Sequence, residues 1–281
     1  MVIDEMRPKV AMALGGGSVR GLAHIGVLQV LEKAGIHVDM IAGTSMGAVI
    51  GAIYAAGTDL NYLARLVARL SWDKLLDLRE IGFAKLGLID GSRFERIIEL
   101  LLRKKNFNEL KIPLRIVATN LVTGGEVVFE KGDLIPALRA SISIPGLFIP
   151  VAYNETDLLV DGGIVAGVPV KAAREMGADL TIAVYVGYDI QQHEMKSILD
   201  VLIQVVDIMM ARIDSVNLSM ADLIIAPEVG QVGVSRFDKT EFCIEQGRKA
   251  AVKALPQINE FLEKSASGSH GKPPRIKKAG F

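Results

Sequence analysis

The sequence is poor in cysteine and in histidine. Cysteine occurs once in 281 residues, at Cys243, and histidine occurs four times. A single cysteine excludes an internal disulfide and a thiolate metal cluster, and this usage is typical of a protein of the reducing cytosol. The few histidines are scattered along the chain, so the sequence indicates no metal site. We therefore expect neither a metal ion nor another cofactor.

An excess of charge and a long apolar run are also absent. Thirty-two basic residues balance 32 acidic ones, which gives no electrostatic support for binding nucleic acid. No stretch reaches the roughly 18 consecutive apolar residues that a membrane-spanning helix needs. The acidic residues Asp4 and Glu5 precede only a short apolar run, unlike the start of a signal peptide. We expect a cytoplasmic protein that is soluble or peripheral to a membrane.

Hydrophobic residues make up half of the chain and follow the pattern of an α/β protein. A short apolar run, Val10 to Leu14, leads into three glycines and then into apolar residues at helical spacing. A second run, Met40 to Ala42, leads into GTSMG and a helix of small residues. This order of strand, glycine loop, helix, strand, sharp turn and helix is typical of a doubly wound α/β sheet with mostly parallel strands.

The chain shows no internal repeat and no linker. Its length is compatible with one large domain or two small ones, and we predict a single domain over residues 8–262. From Lys264 onward the sequence holds five lysines or arginines and no acidic residue. Residues 263–281 are therefore predicted to be a flexible basic tail, either simply solvated or weakly attracted to anionic lipid.

Gly43 to Gly47 match the nucleophile elbow, G-x-S-x-G. In this motif a strained turn between a strand and a helix exposes a serine, here Ser45, and small neighbours allow the backbone to turn tightly. The positive end of the following helix favours an oxyanion, to which the N–H of Met46 can donate. An ordinary tight turn between a strand and a helix is the alternative interpretation of so short a pattern.

The glycine loop GGGSVRG spans residues 15–21. Loops of this kind present backbone N–H groups to a negatively charged oxygen. A phosphate-binding P-loop is excluded because Leu22, and not lysine, follows the last glycine. Asp39 lies at a spacing that leaves dinucleotide binding open. An oxyanion hole, with Arg20 holding the loop or adding positive charge, also explains why a serine elbow follows the next strand.

A third motif, Asp161-Gly162-Gly163, follows a predicted strand. An aspartate at the end of a strand, next to two glycines, suits a carboxylate that other groups approach closely, although Asp-Gly is also common in β-turns. His24 and His37 come too early for the order Ser, acid, His of α/β-hydrolases. The lack of a suitable histidine favours a dyad in which a carboxylate activates the serine directly.

Taken together, the three motifs resemble those of the patatin-like phospholipase family. The segments GGGSVRGLAHIGVLQVLEKAGI, GTSMGAVIGAIYAAG and DGGIVAGVPV are similar to those of its bacterial cytoplasmic members. The similarity covers residues 8–185 and, more loosely, residues 186–262. The resemblance implies a patatin-like, three-layer α/β/α fold. It also implies a Ser-Asp dyad that hydrolyses fatty acyl esters of phospholipids, lysophospholipids or related lipids.

The resemblance also implies residue roles. Ser45 becomes the nucleophile and Asp161 the general base. The implied oxyanion hole consists of Gly16, Gly17, Ser18 and Met46, and the implied supporting residues are Arg20, Gly43, Gly47, Gly162 and Gly163. Ser18 departs from the family, which has a glycine there, and a serine would be strained if the loop required a positive φ.

Other functions remain open from the sequence alone. A hydrolase of small esters or thioesters would carry the same motifs, because acyl-chain selectivity depends on the walls of the pocket. A non-catalytic lipid- or nucleotide-binding module on the same fold is a second alternative. An NAD-type dehydrogenase is a third, but the chain offers no catalytic residues for it.

The expected partner is a lipid or acyl ester, with transient contact to a membrane surface and no nucleic acid; the sequence does not predict an oligomeric state. Residues 71–91 are a candidate cover over the site, or else an ordinary packed helix and loop. The methionines at 195, 209, 210 and 220 suit either an adaptable acyl groove or core packing.

Overall fold

The described part of the chain forms one mixed α/β sheet with helices around it. A computed structural model describes residues 7–69, 91–102, 104–187, 198–233 and 236–266. The strands are β1 (Val10–Leu14), β2 (Met40–Thr44), β3 (Leu114–Asn120), β4 (Glu126–Phe129), β5 (Val151–Tyr153), β6 (Asp157–Asp161), β7 (Leu180–Val184) and β8 (Leu223–Ile225). The α-helices are α1 (Ala23–Lys33), α2 (Met46–Ala55), α3 (Leu60–Arg69), α4 (Ser92–Leu102), α5 (Leu134–Ser141), α6 (Gly163–Ala166), α7 (Val170–Arg174), α8 (Ile198–Leu218) and α9 (Thr240–Ala266).

The central sheet is mostly parallel, as the sequence predicts. Its order is β5-β6-β3-β2-β1-β7-β8, and β4 also pairs with β3. Pairing is parallel from β3 through β2, β1 and β7 to β8. The strands β4, β5 and β6 add antiparallel pairs next to β3. Every residue of β1, β2 and β7 is buried, as expected for strands covered by helices on both faces.

The alternation of side chains along β1 divides the core into two layers. Val10, Met12 and Leu14 pack into a cluster that also holds residues of α1, α2 and α9. Ala11 and Ala13 point to the opposite face and pack with residues of α6, α7 and α8. Successive residues of a strand face opposite sides of a sheet, so one short apolar run serves both layers. The predicted α/β/α fold is therefore confirmed.

The long C-terminal helix packs tightly against the first helix. A Cβ added to Gly26 of α1 would collide with the Ile244 carbonyl oxygen, and one added to Gly247 of α9 would collide with the Ala23 carbonyl oxygen. The two glycines thus allow the backbones of α1 and α9 to approach closely. We propose that residues 8–266 form one domain, because this contact joins the two ends of the described chain in the larger core cluster.

Several boundaries differ from those expected. The sequence predicts a helix over residues 168–176, where the structure has the shorter α7, and α6 is a separate short helix before it. Pro169 lies at the start of α7, where its missing N–H breaks no helical hydrogen bond. The sequence predicts Ser92 as an N-cap, whereas in the structure Ser92 is the first residue of α4 and the Glu95 N–H donates to the Gly91 carbonyl before it. The helix α9 continues to Ala266, so that residues 263–266 are helical and do not belong to a tail.

Some expectations concern residues that the structure does not describe. The candidate cover lies almost wholly there, since only Gly91 of residues 71–91 is described. Met195 and the tail from residue 267 onward also lie outside the described ranges. Among the helices of the described ranges, none combines the length and apolarity required to cross a membrane.

Candidate active site

Ser45 occupies the turn between β2 and α2. The strand ends at Thr44 and the helix begins at Met46, so Ser45 lies directly at the N-terminus of α2. Its backbone has φ 53° and ψ −125°, a conformation that a residue with a side chain rarely adopts. Ser45 is only 7% exposed. The turn therefore has the strained strand-to-helix geometry of a nucleophile elbow.

Two glycines flank this turn and allow α2 to pack against the sheet. A Cβ added to Gly47 would collide with the Leu14 carbonyl oxygen, and one added to Gly43 would lie 2.5 Å from Ala48 Cα. A larger residue at either position would push the helix away from β1 and β2. The two glycines thus hold Ser45 close to the end of the sheet.

Asp161 is the last residue of β6 and is 5% exposed. Burial raises the pKa of its carboxyl group to about 6, although the hydrogen bond from the Gly163 N–H and the nearby Ser45 side chain act in the opposite direction. The Gly163 nitrogen lies 2.8 Å from Asp161 Oδ1. A carboxylate with a pKa near 6 is a stronger base than an ordinary aspartate and is still mostly ionised at pH 7.

The strand β3 brings Ser45 and Asp161 together. Thr44 pairs with Val117, and Asp161 pairs with the next residue of β3, Ala118. The two halves of the site are therefore aligned to consecutive residues of one central strand. This proximity results from sheet register, since β2 and β6 are far apart in the sequence.

Polar side chains that the sequence does not single out hold this arrangement. The Ser45 N–H donates to Ser141 Oγ at 2.9 Å, and the Ser141 hydroxyl donates to the Val117 carbonyl at 2.6 Å. The Asp161 carbonyl accepts a 2.8 Å hydrogen bond from the Thr119 hydroxyl. Ser141 belongs to a run of small polar and apolar residues, ASIS, which begins in the last two residues of α5. Such a run gives no chemical signal on its own.

The glycine loop packs over Ser45. A Cβ added to Gly16 would lie 3.2 Å from Ser45 Cβ. The Gly16 N–H, predicted as part of an oxyanion hole, donates to the Gly167 carbonyl at 2.8 Å in this structure. Gly16 instead leaves space above the serine and ties the loop to the segment after α6. Ser18 has φ 49°, the positive value at which a serine is strained.

Arg20 and His24 are both buried beside the loop. Arg20 is 1% exposed, and its Nε donates to the Gly17 carbonyl at 3.4 Å. His24 Nε2 donates to the Gly15 carbonyl at 2.7 Å. Burial lowers the pKa of His24 to about 4, although its hydrogen bond to Gly15 favours the charged form. His24 is therefore neutral at pH 7 and packs as part of the scaffold.

The two glycines after Asp161 also permit close packing. A Cβ added to Gly162 would collide with the Val117 carbonyl oxygen, and one added to Gly163 would collide with Met210 Cε. Met210 is buried against α6. Among the other candidate methionines for an acyl groove, Met209 is half exposed and Met220 packs against the smaller core cluster.

Within the described ranges, no group of three or more histidine, cysteine, aspartate or glutamate side chains is placed to bind a metal ion. The described site brings three features together. These are a hydroxyl at a helix N-terminus, a buried carboxyl group beside it, and a glycine loop above them.

Comparison with known protein families gives a match over the part of the chain that holds these features. A family model described as patatin-like phospholipase matches residues 12–174. This range is more than half of the chain, and it contains the glycine loop, Ser45 and Asp161.

Curated relatives are similar over the same part of the chain. A Mycobacterium tuberculosis protein described as an uncharacterized NTE family protein is 40% identical over 179 residues, which cover 63% of this chain and 49% of that protein. The human patatin-like phospholipase domain-containing protein 6 is 35% identical over 182 residues, covering 63% of this chain and 13% of that protein. The aligned region thus spans about half the length of the mycobacterial relative.

Solved structures share the fold at low sequence identity. VipD from Legionella pneumophila superposes with a TM-score of 0.60 at 13% identity, covering 89% of this chain and 67% of that one. A chain of the SpcU–ExoU complex from Pseudomonas aeruginosa superposes with a TM-score of 0.51 at 12% identity, covering 92% of this chain and 53% of that one. These structures are similar to this chain in fold.

Proposed function

The chain belongs to the patatin-like phospholipase family, and from this premise we propose that it is a serine hydrolase that cleaves fatty acyl ester bonds of phospholipids, lysophospholipids or related lipids. One observation carries the proposal. The Ser45 side chain lies close enough to the Asp161 carboxyl group to lower its pKa, which burial raises to about 6. A nucleophile next to a base is the minimum that covalent acyl transfer requires.

In the proposed mechanism, Asp161 accepts the hydroxyl proton while Ser45 Oγ attacks the ester carbonyl carbon. The tetrahedral intermediate then collapses, the bond to the alcohol oxygen breaks, and protonated Asp161 returns its proton to the leaving alcohol. Water attacks the acyl-serine in the second half, with Asp161 again accepting a proton. Collapse of the second intermediate releases the fatty acid and restores Ser45.

The proposed oxyanion hole uses the N–H groups of Gly17, Ser18 and Met46. Met46 is the first residue of α2, where the helix presents partial positive charge. Gly17 and Ser18 follow Gly16, which packs over Ser45. Arg20 supports the loop through its hydrogen bond to Gly17. Donors placed around a developing oxyanion typically contribute several kcal/mol to catalysis, on the order of 3 kcal/mol each.

The dyad is tested by measuring hydrolysis of p-nitrophenyl esters of increasing acyl length by the wild type, Ser45→Ala and Asp161→Asn. We expect both variants to remain folded and to lose at least about 10³-fold in kcat. Ser219→Ala is the matched control, because Ser219 is an exposed serine just after α8 whose hydroxyl donates to the Val216 carbonyl. A wild type that is inactive on every ester and on phospholipid micelles would refute hydrolase activity.

Two further outcomes separate the alternatives. An optimum at short acyl chains, with no activity on phospholipid, would identify a small-ester hydrolase in place of a lipase. A chain that a fluorophosphonate probe does not label would be a non-catalytic module on the same fold, because labelling requires an activated serine.

We also propose that the protein contacts lipid surfaces transiently through the outer face of α8. This face is formed by exposed apolar residues at helical spacing: Val201, Val205, Ile208, Met209 and Val216. Arg212 is exposed between them, so a cation accompanies the apolar stripe. That combination favours an anionic lipid surface as the partner. On its inner face the same helix contacts α6, next to Asp161, through Met210.

A further inference from the structure

Asp214 is a second buried carboxyl group near the site and is separate from the dyad. It lies on α8, is 2% exposed, and accepts a 2.9 Å hydrogen bond from the Val168 N–H at Oδ1. Its carboxyl group packs directly on Gly167, where an added Cβ would lie 2.5 Å from Oδ1 and 2.6 Å from Oδ2. Burial raises its pKa to about 7, and the Val168 hydrogen bond opposes this shift. Burying a carboxyl group costs free energy, so we asked which contact of Asp214 offsets this cost.

The segment that Asp214 contacts forms hydrogen bonds to Thr44, beside Ser45, and to the glycine loop. The Ala166 carbonyl accepts a 2.7 Å hydrogen bond from the Thr44 hydroxyl, and Thr44 directly precedes Ser45. The Gly167 carbonyl accepts the 2.8 Å hydrogen bond from the Gly16 N–H in the glycine loop. Residues 166–168, here called the clamp turn, therefore contact the end of β2, the glycine loop and α8.

The clamp turn depends on such contacts for its position. It joins α6, of four residues, to α7, of five residues. Helices this short are not stable by themselves, because forming the first turn costs more than it gains. The carboxyl group of Asp214 is supplied by α8, a helix of 21 residues. Asp214 of the long helix α8 can therefore hold the clamp turn in place, which the short helices α6 and α7 cannot do by themselves.

We propose that Asp214 is a positioning residue for the active site: by binding the Val168 N–H it holds the clamp turn, and the clamp turn holds Thr44 and the glycine loop in place around Ser45. Asp214 does not touch the reacting atoms. Its effect on catalysis rests on the proposed hydrolase function, whereas its effect on the geometry of the loop does not. A displacement of about 1 Å at a catalytic group is enough to reduce a rate by about 10²-fold.

Three variants separate the hydrogen bond from charge and from packing. Asp214→Asn keeps an oxygen that accepts the Val168 N–H but removes the ionisable group. Asp214→Ala removes the acceptor. Gly167→Ala keeps Asp214 but places a methyl group against its carboxyl oxygens, at a backbone conformation (φ −57°, ψ −40°) that alanine readily adopts.

The first measurement is hydrogen exchange at the Gly16 and Val168 amides of the full chain, which does not depend on activity. We expect exchange at both amides to be at least tenfold faster in Asp214→Ala and in Gly167→Ala, and close to wild type in Asp214→Asn. Unchanged exchange in a folded Asp214→Ala protein would overturn the proposal. If Asp214→Ala does not fold, Gly167→Ala and Asp214→Asn decide the question by the same measurement.

Steady-state kinetics on a p-nitrophenyl ester is the second measurement. Asp214→Ala should lower kcat by about 10- to 100-fold, with KM within about threefold of wild type, and Asp214→Asn should restore most of the activity. The double variant Asp214→Ala with Gly167→Ala should have the same kcat as Asp214→Ala alone, since the added methyl group then has no carboxyl group to collide with. Additive losses, or a loss in Asp214→Asn equal to that in Asp214→Ala, would contradict the clamp. A wild type without esterase activity would refute the proposed function, while the exchange data would still decide the role of Asp214.

Discussion

The Ser45 N–H donates a 2.9 Å hydrogen bond to the Ser141 hydroxyl oxygen, which joins the elbow to the end of α5. The same hydroxyl donates to the Val117 carbonyl of β3. One fully buried side chain thus links the strained turn to the strand that also pairs with Asp161. The backbone conformation of Ser45 is held by this link as well as by the glycines around it.

Ser141→Ala should therefore destabilise the protein and impair the site. It leaves the buried Ser45 N–H and Val117 carbonyl without their partner, which costs about 1–3 kcal/mol in free energy of unfolding. Urea denaturation measures the loss, and kcat on a p-nitrophenyl ester reports the effect on the elbow. Ser215→Ala is the control, because Ser215 is an exposed serine that bonds only within α8, to the Arg212 carbonyl. Equal stability of the two variants would show that the link through Ser141 is unimportant.

The pH dependence of activity should follow the ionisation of Asp161. Its carboxyl group has a raised pKa of about 6 in the folded protein, and only the ionised form accepts the Ser45 proton. We expect kcat/KM to fall as the pH decreases through about 6, about tenfold for each further pH unit. A rate profile that stays flat down to pH 4 would show that Asp161 is not the base.

The same pKa shift predicts that the dyad costs stability at neutral pH. Because the folded-state pKa of about 6 lies above the ordinary aspartate value of 3.8, the folded protein binds this proton more tightly than the unfolded chain. Stability is therefore lost as the pH rises through this interval. Asp161→Asn should raise the free energy of unfolding at pH 7 by on the order of 1–3 kcal/mol. Chemical denaturation should show this gain at pH 7 and only a small difference at pH 4; an equal gain at both would contradict the prediction.

The protein should be more stable with glycine at position 18 than with alanine. The φ of 49° at Ser18 strains any residue that has a Cβ, by about 1–2 kcal/mol, and the greater flexibility of glycine in the unfolded chain offsets part of this. Ser18→Ala removes the hydroxyl but keeps the strain, so it is the matched control for Ser18→Gly. Thermal unfolding of the two variants should favour glycine by up to about 1 kcal/mol. Both should remain active, because the proposed oxyanion donor at this position is the backbone N–H.

Lipid contact through α8 should be sensitive to charge on its outer face. Val205 is 47% exposed, so Val205→Asp should leave the fold and the hydrolysis of a soluble short ester unchanged. We expect it to reduce sedimentation with anionic phospholipid vesicles by about threefold to tenfold, since it removes apolar contact and adds repulsion. Val252→Asp makes the same change at an exposed valine of α9 and should have little effect. Equal effects of the two substitutions would show that the α8 face is not the contact.

Much of the fold is predictable from the sequence because its signals are local. The apolar runs of β1 and β2, the glycines that end them and the helical spacing after them lie within a few residues of one another. These short-range patterns also identify Ser45 at its elbow and Asp161 at the end of a strand. The turn between α6 and α7 is harder to predict, since it is held by Asp214, 46 positions away from Val168.

The sequence by itself determined the α/β order, the strained turn at Ser45 and the carboxylate at Asp161, since each depends on residues that are neighbours in the chain. Only the tertiary structure decided that the register of β3 places these two residues side by side. It also decided that Ser141 and Asp214 hold the surrounding backbone, and that the Gly16 N–H is bound to Gly167. The physical reason is that hydrogen-bond partners and burial are set by packing between distant segments, and the raised pKa of Asp161 follows from burial alone.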